Sequence, residues 1–83
     1  MGQLRRQFAH RLKTLREQKE MTQEDLALAT GLSVKFIRAI EQAVKAPSFE
    51  SLEVIARALT VQEKDLFNFE ENQDMFSRHT NKD

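Results

Sequence analysis

Cysteine, tryptophan and tyrosine are absent from this 83-residue chain, and it holds only two glycines and one proline. Without cysteine there is neither a disulfide nor a thiolate ligand, so the core must hold by packing alone, and a reducing cytoplasm is the expected compartment. No stretch is long and apolar enough to span a bilayer. The opening MGQLRRQFAH carries charge where a secretory signal would be apolar. What remains is rich in Glu, Gln, Leu, Ala, Lys and Arg, residues that lose little in a helix, and the expected class is all-α. With about 40% hydrophobic residues, the length suits one small domain, near the size at which a single core just suffices.

Net charge is lacking too, which argues against a uniformly basic nucleic-acid binder. The average conceals a gradient. Residues 1–20 carry a net +4, residues 21–47 are neutral and residues 48–83 carry −4, so a basic face is compatible with an acidic far end. A merely solvated charged surface would give the same pattern.

Leu4, Phe8, Leu12 and Leu15 recur at helical spacing, which predicts a first helix over Gln3 to Gln18 with Arg5, Arg6, Arg11 and Lys13 on its remaining surface. Thr22, with Asp25 three residues on, predicts the cap of a second helix ending at Thr30, where Gly31 supplies a left-handed residue. Ser33 caps a third, from Val34 to about Gln42, with Ile37 and Ile40 inward. Pro47 and Ser48 start a fourth, whose inward face is Phe49, Leu52, Ile55, Ala56 and Leu59. Val61, Leu66 and Phe67 predict a short fifth, capped by Thr60 with Glu63. The domain is expected over 1–69, followed by a polar tail over 70–83 that is disordered or docks on a partner through Met75 and Phe76.

Two short helices joined at Gly31 make a helix-turn-helix, whose second helix suits the major groove of DNA. Ser33, Val34, Lys35 and Arg38 lie in its first turns, away from Ile37 and Ile40, where side chains reach base edges. Helical hairpins with a glycine turn also occur without DNA, so the spacing by itself leaves both readings open.

The blocks LKTLREQKEMTQEDLA, TGLS, IRAIEQ, APSFESLEVIARAL and KDLF, in this order and spacing from Phe8 to Phe67, resemble the Cro/C1-type helix-turn-helix domains of phage repressors, bacterial regulators and restriction-modification controller proteins. The resemblance implies a compact five-helix, lambda repressor-like domain that binds double-stranded DNA. It implies phosphate contacts for Thr22 and Gln23 at a helix N-terminus and for Lys45 in the following loop, and base-reading positions at Ser33, Val34, Lys35 and Arg38. It also implies a buried ion pair between Arg16 and Glu41. One short helix reads few base pairs, so a homodimer on an inverted-repeat operator is expected. Its contacts are assigned to Val61, Leu66, Phe67 and Phe69, by resemblance to controller proteins and because the fifth helix has more apolar residues than one face buries.

The chain departs from the family at Ala43 and Thr60, where glycine is frequent, and at Gln62, where a cap former is. Val34 and Phe36 are apolar where relatives are usually polar, as are Leu28 and Ala29. A surface of Leu28, Val34 and Phe36 supports the rival reading, a protein-interaction module, antitoxin-like or adaptor, that keeps the fold without specific DNA binding. His10 and His79 are far apart and joined by no cysteine, and no histidine is placed to activate Ser33, Ser48 or Ser51. Neither a metal, a cofactor nor an enzymatic activity is expected.

Overall fold

A computed structural model describes residues 3–70. The chain runs as α1 (Gln3–Gln18), α2 (Gln23–Thr30), α3 (Val34–Glu41) and α4 (Phe49–Leu59), then a 3-10 helix (Glu63–Phe67). The described residues contain no strand. The class is all-α, as read from sequence; among the described residues α1–α4 are α-helices and the expected fifth is the five-residue 3-10 helix.

Side-chain hydroxyls start three of the helices. Thr22 Oγ1 accepts from the Asp25 N–H at 2.9 Å while the Asp25 carboxylate accepts from the Thr22 N–H at 2.9 Å, a reciprocal cap using Asp in place of the usual Glu. Ser33 and Ser48 accept from the Phe36 and Ser51 N–H groups, each at 3.0 Å. The 3-10 helix is capped differently from the expected Thr60 and Glu63: the Asp65 carboxylate accepts from the Gln62 N–H at 2.9 Å. Thr60 is already committed, closing α4 at φ 60°, and a residue in that left-handed conformation lacks the extended backbone an N-cap requires.

Three ends share one solution. After α1, α3 and α4, a non-glycine residue turns left-handed: Glu20 at φ 58°, Ala43 at 63° and Thr60 at 60°. Each time the next N–H reaches back five residues, Met21 to Arg16 at 3.1 Å, Val44 to Ala39 at 2.9 Å and Val61 to Ala56 at 3.0 Å. Ala43 and Thr60 therefore keep the glycine-type geometry without glycine, at roughly 1 kcal/mol each.

The core is Leu12, Leu26, Ile37, Ile40, Ile55, Leu59 and Leu66, all essentially without exposure, with Phe8, Leu15, Ala27, Leu52 and Ala56 around them. Leu4 and Phe49, expected on inward faces, are instead 60% and 82% exposed. Both occupy the first turn of a helix, and helical side chains lean toward the N-terminus, which carries these two past the edge of the core. Arg11, expected on the outer surface of α1, is buried, and its Nε donates to the Asp65 carbonyl at 2.9 Å. The long aliphatic stem packs inside while the guanidinium ties α1 to the 3-10 helix. Leu66, expected among the dimer contacts, is wholly buried, so its side chain is not available for one. No helix of the described residues is long and apolar enough to cross a membrane. The tail expectation, with Met75, Phe76 and His79, lies outside the described residues.

Candidate nucleic-acid interface

Between α2 and α3 the chain turns on Gly31, at φ 79°, whose N–H bonds the Ala27 carbonyl at 2.9 Å. Thr30 braces this corner. Its hydroxyl donates to the Leu26 carbonyl at 2.8 Å and accepts from the Leu32 N–H at 3.1 Å, while Leu32 packs against the core. With the corner fixed on both sides, the direction in which α3 leaves it is set by packing.

The register of α3 follows from Ile37 and Ile40, both buried. Lys35 and Arg38, one turn apart, are exposed, and neither has a hydrogen-bond or ion-pair partner among the described residues. Ser33 is exposed at the cap, and Gln42 is exposed at the far end. Ser33 Oγ accepts within the cap, as Thr22 Oγ1 does, so each hydroxyl keeps its proton available for an outside acceptor. Val34 and Phe36 are half-buried and packed against the core. The apolar patch expected with Leu28 is therefore only partly open, and Val34, assigned to base reading, keeps part of its surface in solvent. Leu28 alone of the three is open, at 86% exposure.

The other end of α3 is anchored by Glu41. Arg16 grips its carboxylate twice, Nε to Oε2 at 2.7 Å and Nη2 to Oε1 at 2.9 Å, with both side chains at least nine-tenths buried. Arg16 Nη1 donates to the Met21 carbonyl at 2.8 Å, and Gln23 Nε2 donates to Glu41 Oε1 at 3.1 Å. One carboxylate thus joins the end of α1, the start of α2 and the end of α3. The hydrogen bond to Glu41, reinforced by its charge, holds the Arg16 guanidinium above its ordinary pKa against the opposing effect of burial. The link to Gln23 was not legible from spacing, because the two side chains are 18 residues apart and meet only when α2 and α3 pack.

Thr22 is exposed and Gln23 half-buried at the start of α2, where the Gln23 and Glu24 backbone N–H groups take no acceptor among the described residues. Lys45 is exposed in the loop after α3. Arg5 joins it from α1, its Nη1 donating to the Val44 carbonyl at 3.2 Å. That pairing, 39 residues apart, gives a basic cluster of Arg5, Arg6 and Lys45 around the loop, of which sequence singled out only Lys45. Phe67 lines the same groove as this cluster, its ring tilted against Phe8 with centroids 5.3 Å apart and edge-on to Phe69 at 6.1 Å. Phe67 remains 40% exposed, and Val61 and Phe69 are half-buried beside the core. Among the described residues no group of His, Asp or Glu side chains is arranged to hold a metal.

Residues 12–66 match the helix-turn-helix family HTH_3. The structure is similar to the restriction-modification controller protein C.AhdI from Aeromonas hydrophila, at 30% identity, 76% of this chain, 96% of that one and a TM-score of 0.75. It is similar also to the wild-type restriction-modification controller protein C.Esp1396I, at 30% identity, 88% of this chain, 94% of that one and a TM-score of 0.77. No protein of curated function matches the sequence.

Proposed function

The chain belongs to the helix-turn-helix family of DNA-binding regulators, and we propose that it is a sequence-specific regulator that binds an inverted-repeat operator as a homodimer in the cytoplasm. One observation carries this reading: α3, anchored by Glu41, presents Lys35 from its first turn and Arg38 from its last to solvent with no side-chain partner among the described residues. Buried or paired cations would serve the fold; open ones on a braced convex helix suit a polyanion with readable edges.

The remaining assignments divide by chemistry. Thr22, Gln23 and the open N–H groups of α2 serve one phosphate, since amides and the helix dipole favour an anion there. Lys45, with Arg5 beside it, serves another. Ser33, Lys35 and Arg38 read bases. The homodimer rests on Phe67, Val61 and Phe69, with apolar Leu4 and Phe49 open on the groove that Phe67 also lines. The similarity to restriction-modification controller proteins supports a role in regulating transcription, and no enzymatic step is involved.

Selection of bound duplexes from a random pool tests the reading. The expected product is an inverted repeat with half-site centres about 34 Å apart, one turn of B-form DNA. Recovery of unrelated sequences, or none, would overturn it. Sedimentation at high micromolar concentration is expected to show a dimer, and a monomer there would remove the homodimer.

A further inference from the structure

The open side chains of α3 share one chemical trait. Arg38 offers only donors, five N–H bonds in a planar fork, and Lys35 offers three donors and no acceptor. The acceptors nearby are otherwise engaged. Glu41 is consumed by Arg16 and Gln23, and Ser33 Oγ already accepts from the Phe36 N–H. Val34 and Phe36 are drawn toward the core. Gln42, exposed and able to accept, lies four residues beyond Arg38, about 6 Å further along the axis.

A donor-only surface meets the major groove unequally. Cytosine presents an amino donor there and adenine a donor beside an acceptor, so against a planar fork both leave at least one donor facing another donor; guanine presents two acceptors, N7 and O6, matched to a guanidinium fork, and thymine presents O4. Resting on the DNA-binding reading above, we propose that each half-site carries guanine opposite Arg38, held through both N7 and O6, and a base with a major-groove acceptor, any but cytosine, at the neighbouring pair opposite Lys35. Cytosine, with only an amino donor on that edge, is rejected by both side chains, and adenine is rejected opposite Arg38, where its amino group leaves one arm of the fork unpaired. The spacing agrees, since residues three apart on a helix rise about 4.5 Å and successive base pairs about 3.4 Å.

The test uses the full chain and duplexes selected from the random pool. Guanine is expected at one fixed position of each half-site with cytosine excluded beside it. Replacing that guanine by adenine is expected to weaken binding about 5- to 150-fold, and 7-deazaguanine, which lacks only the N7 acceptor, is expected to weaken it by less. Arg38→Ala should abolish the preference at that position and Lys35→Ala the preference at its neighbour, with unchanged melting temperatures showing that both variants fold. Selected sites without a fixed guanine, or a guanine preference untouched by Arg38→Ala, would overturn the inference while leaving DNA binding intact. Failure to select any sequence would instead overturn the DNA-binding reading itself.

Discussion

Two parts of α3 are built in opposite ways. Its trailing end is closed: Ile40 is buried, and Glu41 is held by two bonds from Arg16 and one from Gln23. Its outer side is open: the serine cap, Lys35 in the first turn and Arg38 in the last lie in solvent, with no bond to either cationic side chain among the described residues. A reading helix needs both. Unpartnered donors are useful only if the backbone carrying them does not move, and an isolated eight-residue helix would be too short to hold its own conformation. Its order comes from the closed end and the core.

Breaking the closed end should have the largest effect. Arg16→Met leaves Glu41 buried with Gln23 as its only remaining partner, and a loss of about 3–5 kcal/mol is expected in urea unfolding. A loss below about 1 kcal/mol, the scale of exposed pairs, would show that the carboxylate is not sealed in. Breaking the open side should spare stability. Arg38→Ala is expected to leave the unfolding midpoint unchanged and to reduce discrimination at one base pair by roughly 1–3 kcal/mol, measured by competition between duplexes differing at single positions. Lys45→Ala, beyond the closed end, should weaken binding about equally for all duplexes and reduce the slope of log affinity against log salt by about one. A loss confined to one sequence would move Lys45 into the reading surface.

The smallest effect sharpens the comparison from the side of the fold. Ala43 follows the closed end in a left-handed conformation at φ 63°, so Ala43→Gly should raise stability by about 0.5–1 kcal/mol without altering sequence preference. Destabilisation by this substitution would mean that the methyl group contributes packing worth more than the strain it causes.

Much of this arrangement was legible in the sequence because its signals are local. Thr22, Ser33 and Ser48 each cap within three residues, Gly31 marks its own corner, and the spacing of Phe8, Leu12 and Leu15 marks an inward face, so the extent of α1 and α2 and the starts of α3 and α4 followed directly, while α3 ends at Glu41, one residue before the expected Gln42. What escaped depends on partners distant in the chain. Arg11 reads as surface until the Asp65 carbonyl, 54 residues away, takes its guanidinium. Val34 and Phe36 stand at positions the resemblance makes exposed, and only packing of the helices shows each to be half-buried against the core. Leu4 and Phe49 fit the inward period but lie one turn beyond the core. Thr60 reads as an N-cap by residue type, yet its left-handed backbone ends the preceding helix instead.

The central claim is that the open side of α3 supplies discrimination and nothing else in the protein replaces it. Its most direct test is the affinity of the wild-type chain and a Lys35→Ala, Arg38→Ala double variant for a selected duplex and for the same duplex scrambled. The wild type should prefer the selected sequence, and the double variant should lose most of that preference while melting at the wild-type temperature. A double variant that still prefers the selected duplex as strongly as the wild type would contradict the account.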